Sequence, residues 1–249
     1  MNEPRPSADT AKSSRWCSPS PLFGYDLADY EQLFEEKVDL MAYLLTERAV
    51  TWEGSVRAAL TNQQVYPKTE SGRLRTWVGV GGSPESVIRA ASYGFPLVLA
   101  IIGGAPARFK PYVDLYHQAL DQLGLERLPV AVHAPGFVAE TDEEAAETLW
   151  PHARVMTDRI GAERGWPPLT RERFEADIAH GAQHVGSPET VARKIADTVR
   201  TLGIQRFDLK YSNGTLPHEA MMKGIELYGS VVVPRVRELL ASEPATAGA

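Results

Sequence analysis

The chain has 249 residues, 43% of them hydrophobic, enough for a sizeable core in one large domain or two small ones. Lys+Arg of 26 against Asp+Glu of 32 leaves a net charge of −6, so no global positive field gathers nucleic acid or an anionic membrane. Cys17 is the one cysteine, which excludes an intrachain disulfide and thiolate metal clusters and fits a reducing compartment.

No apolar run reaches membrane-spanning length, and the start of the chain lacks the apolar middle of a secretory signal. The expected location is therefore the cytoplasm. Residues 1–20 are rich in Pro and Ser without a periodic apolar signal and read as a disordered arm. From Asp26 as N-cap, Phe34, Val38, Met41 and Leu45 recur at helical spacing and predict an amphipathic helix. A polar connection follows through Tyr66 and Pro67.

The pattern then alternates strand and helix: Thr76–Val80, Ser83–Tyr93, Pro96–Ile102, Arg108–Leu123, Pro129–Val132, then helices after Thr141. Such alternation means a parallel sheet. Pro96–Ile102 is apolar throughout, as expected of a central strand covered on both faces. Thr141 to Glu144 is a capping box, and Pro151 is expected to break or kink the helix it opens. Val191, Ile195, Thr198 and Leu202 stripe a helix ending at Gly203, followed by a strand Arg206–Lys210 and a last helix, Glu219 to about Leu240, that carries Pro234.

One hexapeptide, Gly-Ser-Pro-Glu-(Ser/Thr)-Val, occurs at Gly82–Val87 and again at Gly186–Val191. Each copy reads as a helix start, with Ser83 and Ser187 as N-caps, Pro84 and Pro188 at the first helical position, and Glu85 and Glu189 complementing the positive helix end. The first copy follows a strand through Gly81 and Gly82, a geometry that can hold a phosphate on free N–H groups and hydroxyls. Pro84 removes one donor and Glu85 repels an anion unless it points away, so local chemistry alone weighs toward plain capping. The second copy lacks a clear preceding strand and reads as a cap. A dinucleotide fingerprint beginning at Gly79 fails, because Pro84 stands at its third glycine and no acid follows about twenty residues on.

Among the histidines, His180 and His184 have i, i+4 spacing but span Gly181 and lack a third ligand, so no metal site is expected. His133 and His218 lie at strand ends, where a catalytic role and a solvated side chain are both open. No hydroxyl lies in a nucleophile elbow. The tryptophans read as core or loop anchors.

Trp77 through Gly104 resembles the luciferase-like flavin-dependent monooxygenases. The likeness continues in order through Pro21–Asp26, Phe34–Lys37, Glu163–Trp166, Val185–Val191 and Gly214–Glu219. It implies an α/β fold of (β/α)8 TIM-barrel type over residues 21–240; residues 241–249 read as a disordered tail. It also implies reduced flavin mononucleotide (FMN), or the deazaflavin F420, as cofactor, with dioxygen used to oxidise a small organic substrate. Carried to matching positions, it implies cofactor-phosphate contacts at Gly82, Ser83 and Ser86, and it assigns no catalytic residue. Counting from Thr76 gives about four strands where a closed barrel needs eight, so the C-terminal part of the barrel is expected, with exposed edges that favour a homo-oligomer. A non-catalytic flavin-binding or interaction subunit is the alternative. A third reading is another phosphate-binding barrel enzyme, with Lys210 as its Schiff-base candidate.

Overall fold

The computed structural model describes residues 23–72 and 74–242. They fall into two compact units, the first formed by the residues up to Leu74 with Arg159–Pro167, the second by Arg75–Asp158 with the residues from Pro168 onward.

In the first unit, helix α1 (Tyr30–Leu44) is entered through Asp26, whose carboxylate accepts from Ala28 N at 2.9 Å. The polar connection contains an unforeseen antiparallel pair, β1 (Val50–Trp52) and β2 (Leu60–Gln63). Trp52 is buried with Leu40 and Val50, and its indole N–H donates to Asp39 at 2.9 Å. The Glu36 carboxylate accepts from Ser55 N and Val56 N, and the Ser55 hydroxyl above all holds it below the usual carboxylate range.

The second unit is a parallel sheet with helices on one side. In chain order it runs β3 (Val78–Val80), α2 (Pro84–Ser92), β4 (Leu97–Ala100), α3 (Lys110–Gln122), β5 (Val130–Val138), α4 (Asp142–Arg164, its last turns in the first unit), α5 (Arg171–His180), β6 (His184–Gly186), α6 (Pro188–Leu202), β7 (Arg206–Lys210), α7 (His218–Leu227) and α8 (Val233–Ala241). Strands β3, β4 and β5 are neighbours in that order. The nine-residue β5 then pairs with β7 along residues 131–135 and with β6 along residues 136–138. Among the described residues β3 and β7 each pair on one side only, so the barrel is not closed.

Parallel partners in register share a face of the sheet. Val80, Leu97, Leu99, Val130, Val132 and Ala134 point to the helices, where they pack with Val87, Ala90, Val113, Tyr116 and Leu120. Val113, Tyr116 and Leu120 form one stripe of α3, and the Tyr116 hydroxyl donates to Phe95 O at 2.7 Å. The other face carries Gly79, Val98 and Ala100 and is only partly covered, whereas the apolar run of β4 predicted cover on both sides.

Three further expectations change. A strand, β6, does precede the second hexapeptide; at three residues it is too short to show a period. Pro151 does not break α4, because Ala145, Leu149 and Ala153 stripe the buried side across it while Pro151 itself faces solvent. The last helix is α7 and α8 joined by a π-helical turn, Tyr228–Val232, directly before Pro234, which lacks the N–H an α-turn would use.

Gly136 sits where β5 passes from β7 to β6, and a Cβ there would lie 2.3 Å from His184 O and 2.4 Å from Leu209 Cδ1. Gly136→Ala should cost about 3 kcal/mol by overpacking, whereas Gly79→Ala, with no atom within 4 Å of the added carbon, should change stability by less than about 0.5 kcal/mol. Urea unfolding of the two variants checks this contrast. His184 is buried against Phe207 with Nδ1 2.9 Å from Ala182 O, and burial pushes its pKa from 6.5 down to about 4. The unfolded chain therefore binds the extra proton first. Stability should be full above pH 6.5 and fall by about 3 kcal/mol toward pH 4, a slope that His184→Gln flattens in unfolding curves recorded at successive pH values.

Candidate functional site

The C-terminal end of β3 delivers the chain through Gly81 to Gly82, whose φ of +120° favours glycine. Ser83 is extended and caps α2, its Oγ accepting from Ser86 N at 3.2 Å. Its hydroxyl donates in turn to Glu85 Oε2 at 2.7 Å. Glu85 thus turns back toward the helix end. That bond first, and its own backbone N–H second, hold the carboxyl below the usual range. Gly82, Ser83 and Ser86 are all half-buried, so the cradle has both cover and an opening.

Two residues that motif reading passed over stand at the entry to α3, one of them against the cradle. A Cβ on Gly82 would lie 3.6 Å from the Tyr112 hydroxyl, which places that phenol, from α3, against the glycine turn. Gly104 has φ +76°, and a Cβ there would lie 3.1 Å from Arg108 Nη1, so the exposed guanidinium folds over the loop that follows β4. Arg108 and Tyr112 stand four residues apart at the entry to α3, a helical spacing that could have drawn attention to them.

The second copy is built alike but filled. Ser187 caps α6, accepting from Thr190 N at 3.4 Å, and Gly186 has φ +151°. Asp142, at the start of α4, reaches in to accept from Ser187 N at 2.6 Å and from the Thr190 hydroxyl at 2.9 Å. Burial alone would raise the Asp142 pKa, but these bonds outweigh it and the shift is downward. A resident carboxylate therefore occupies the place of an anion, which agrees with the capping role read for Ser187.

The partly covered face of the sheet forms a second chemical surface. His133, half-buried on β5, is in register with Ala100 of β4 and Asp208 of β7. Arg206 Nε lies 3.0 Å from both Asp208 oxygens, and its guanidinium stacks 5.6 Å from the centroid of the Trp77 ring. These residues come from the two ends of a four-strand arc, so the face between them is concave. Ala131, in register with Arg206, is fully buried. The alternation Arg206, Asp208, Lys210 in the β7 sequence was the available signal for this surface.

The remaining candidates take structural roles or lie apart. His184 is a satisfied core histidine, and among the described residues no group of three His, Cys, Asp or Glu could hold a metal. His218 is the first residue of α7. A cavity of about 240 Å³ lies against β7 and α7, lined mainly by Val138, Phe207, Leu209, Ile225 and Tyr228. Burial there, with the Asp208 charge second, raises the Tyr228 phenol. Among the described residues no helix is long and apolar enough to cross a membrane.

Known proteins share this architecture. The monooxygenase RslO1 from Streptomyces bottropensis superposes with a TM-score of 0.67 at 19% identity, over 86% of this chain and 64% of its own. The oxygenating constituent of 3,6-diketocamphane monooxygenase from Pseudomonas putida, in complex with FMN, gives 0.63 at 18% identity, over 87% and 67%. The coenzyme F420 dependent tetrahydromethanopterin reductase from Methanopyrus kandleri gives 0.59 at 17%, over 82% and 63%. The chain thus spans about two thirds of the length of each, and at these identities the likeness speaks for the fold. No curated protein sequence matches. The family described as luciferase-like monooxygenase matches residues 18–206, about three quarters of the sequence, and the chain belongs to it.

Proposed function

We propose that the chain is a flavin-dependent oxidoreductase domain, over residues 21–240, that uses reduced FMN and dioxygen to oxidise a small organic substrate. The observation that carries this reading is the first hexapeptide. A strand, a positive-φ glycine, two hydroxyls and the N-terminus of a nine-residue helix converge at one point on the C-terminal side of a parallel sheet. In this reading Gly82, Ser83 and Ser86 hold the cofactor phosphate, with the Tyr112 phenol beside them. The residues fit such a group on one condition. The Glu85 carboxylate, which now accepts from Ser83, must give way to the phosphate.

Bound reduced flavin would supply the two electrons with which one oxygen atom of dioxygen enters the substrate and the other leaves as water. The protein's part would be to anchor the cofactor by its phosphate at Gly82, Ser83 and Ser86. F420 is the alternative cofactor, since the reductase of similar fold is described as dependent on it. The proposal includes a homo-oligomer in the cytoplasm, the compartment that the single Cys17 fits.

Quenching of FMN fluorescence tests the cradle. Ser83→Ala and Ser86→Ala should each weaken FMN binding roughly tenfold, the value of one lost hydrogen bond to a charged group. Glu85→Gln should instead tighten it by about fivefold through loss of a competing charge. Riboflavin, which lacks the phosphate, should bind all four proteins alike. Equal FMN affinity in wild type and all three variants would show a plain helix cap, and competition with F420 identifies the preferred cofactor.

A further inference from the structure

Lys210 is left without a role by the cradle, and its surroundings suggest one. Alternation along β7 sends Phe207 and Leu209 to the helices and Arg206, Asp208 and Lys210 to the concave face. The Asp208 carboxylate is already held by Arg206, both of its oxygens 3.0 Å from Nε. Lys210 lies two residues nearer the C-terminal end of the strand, in register with Pro135. It is half-buried, and among the described residues it has no ion pair or hydrogen bond. A lysine whose stem lies along the strand while its ammonium has no counter-charge on the chain is open to an anionic partner.

The walls around it set the chemistry of the missing partner. His133 lies on the same face one pairing step below, while Ala100 and Val98 offer a small apolar floor on β4. A cation and an imidazole beside an apolar floor suit an organic anion with a carboxylate at one end and a hydrocarbon body. The cofactor phosphate does not fill this place. Three strand spacings separate β7 from β3, roughly 14 Å along the sheet.

We propose that Lys210 is the recognition group for a carboxylate-bearing organic substrate on the concave face, with His133 beside it. The assignment of that ligand as the substrate rests on the flavin-dependent reading above. The carboxylate site itself does not.

Benzoate serves as the probe, titrated into the full chain at constant ionic strength with lysine ¹⁵Nζ resonances observed. One resonance, absent from Lys210→Met, should shift saturably, and benzyl alcohol should not move it. Lys210→Met should bind benzoate at least tenfold more weakly, Lys210→Arg should retain most of the affinity, and both should bind FMN within about twofold of wild type. Absence of a saturable shift, or unchanged benzoate affinity in Lys210→Met, overturns the proposal. Parallel loss of FMN and benzoate binding in Lys210→Met also overturns it, by making Lys210 part of the cofactor site. A chain that binds benzoate at Lys210 but no flavin upholds the carboxylate site while removing the cofactor reading.

Discussion

Arg206 reaches across the concave face to the ring of Trp77, and this contact fixes the form of everything above it. The two residues stand at the starts of β7 and β3, with β5 and β4 between. Their meeting requires the sheet to curve toward them. It also floors the concavity with a planar cation on an indole, an arrangement worth about 0.5–2 kcal/mol depending on desolvation. Asp208 orients the guanidinium, so the arrangement uses one acid and one base and leaves Lys210 as the surplus charge.

The repeated hexapeptide shows how little of an anion site resides in its local sequence. Both copies place a serine Oγ on the third backbone N–H of a helix, and both enter through a positive-φ glycine after a strand. They differ in the carboxylate each meets. At α6 Asp142 comes from a separate helix, binds a backbone N–H and a hydroxyl, and cannot leave without uncovering both. At α2 Glu85 belongs to the helix itself, is exposed, and bonds a hydroxyl that can rotate toward another acceptor. A mobile carboxylate yields to a phosphate far more readily than one fixed by tertiary structure. On the proposed reading, the difference between a cap and a cradle lies forty-five residues before Ser187, in Asp142, and not in the hexapeptide.

This also marks what could be read from the sequence. Four of the five parallel strands were legible because β-branched and apolar runs are bounded by Gly, Pro or polar residues, and Arg206–Lys210 matched to the residue. The second half of β5 was lost because Pro135 and Gly136 look like the end of a strand. In the fold they mark the transfer from β7 to β6, where only glycine allows His184 O so close. The pair β1 and β2 was hidden in polar sequence, since its support is a single tryptophan and a carboxylate, Asp39, on α1. Of the site, Gly82, Ser83 and Ser86 were visible as a motif. Tyr112 and the inward turn of Glu85 were not, because the first reaches the turn from the following helix, α3, and the second is a side-chain orientation that no motif specifies.

The free sides of β3 and β7 carry a further consequence. A parallel sheet is normally covered on both faces. Here one face holds the core of α2, α3 and α6, while the other exposes Gly79 and leaves Val98 and Ala100 half-covered. In a complete barrel, layers of inward side chains fill that space. With Gly79, Val98, Ala100 and Ala131 at the centre of this face the layer is thin, and the bulk comes from Trp77 and Arg206 at its base. A concavity with small side chains in the middle, an arginine laid against an indole at its base and charge at one rim has the shape of a binding surface more than that of a packed barrel core.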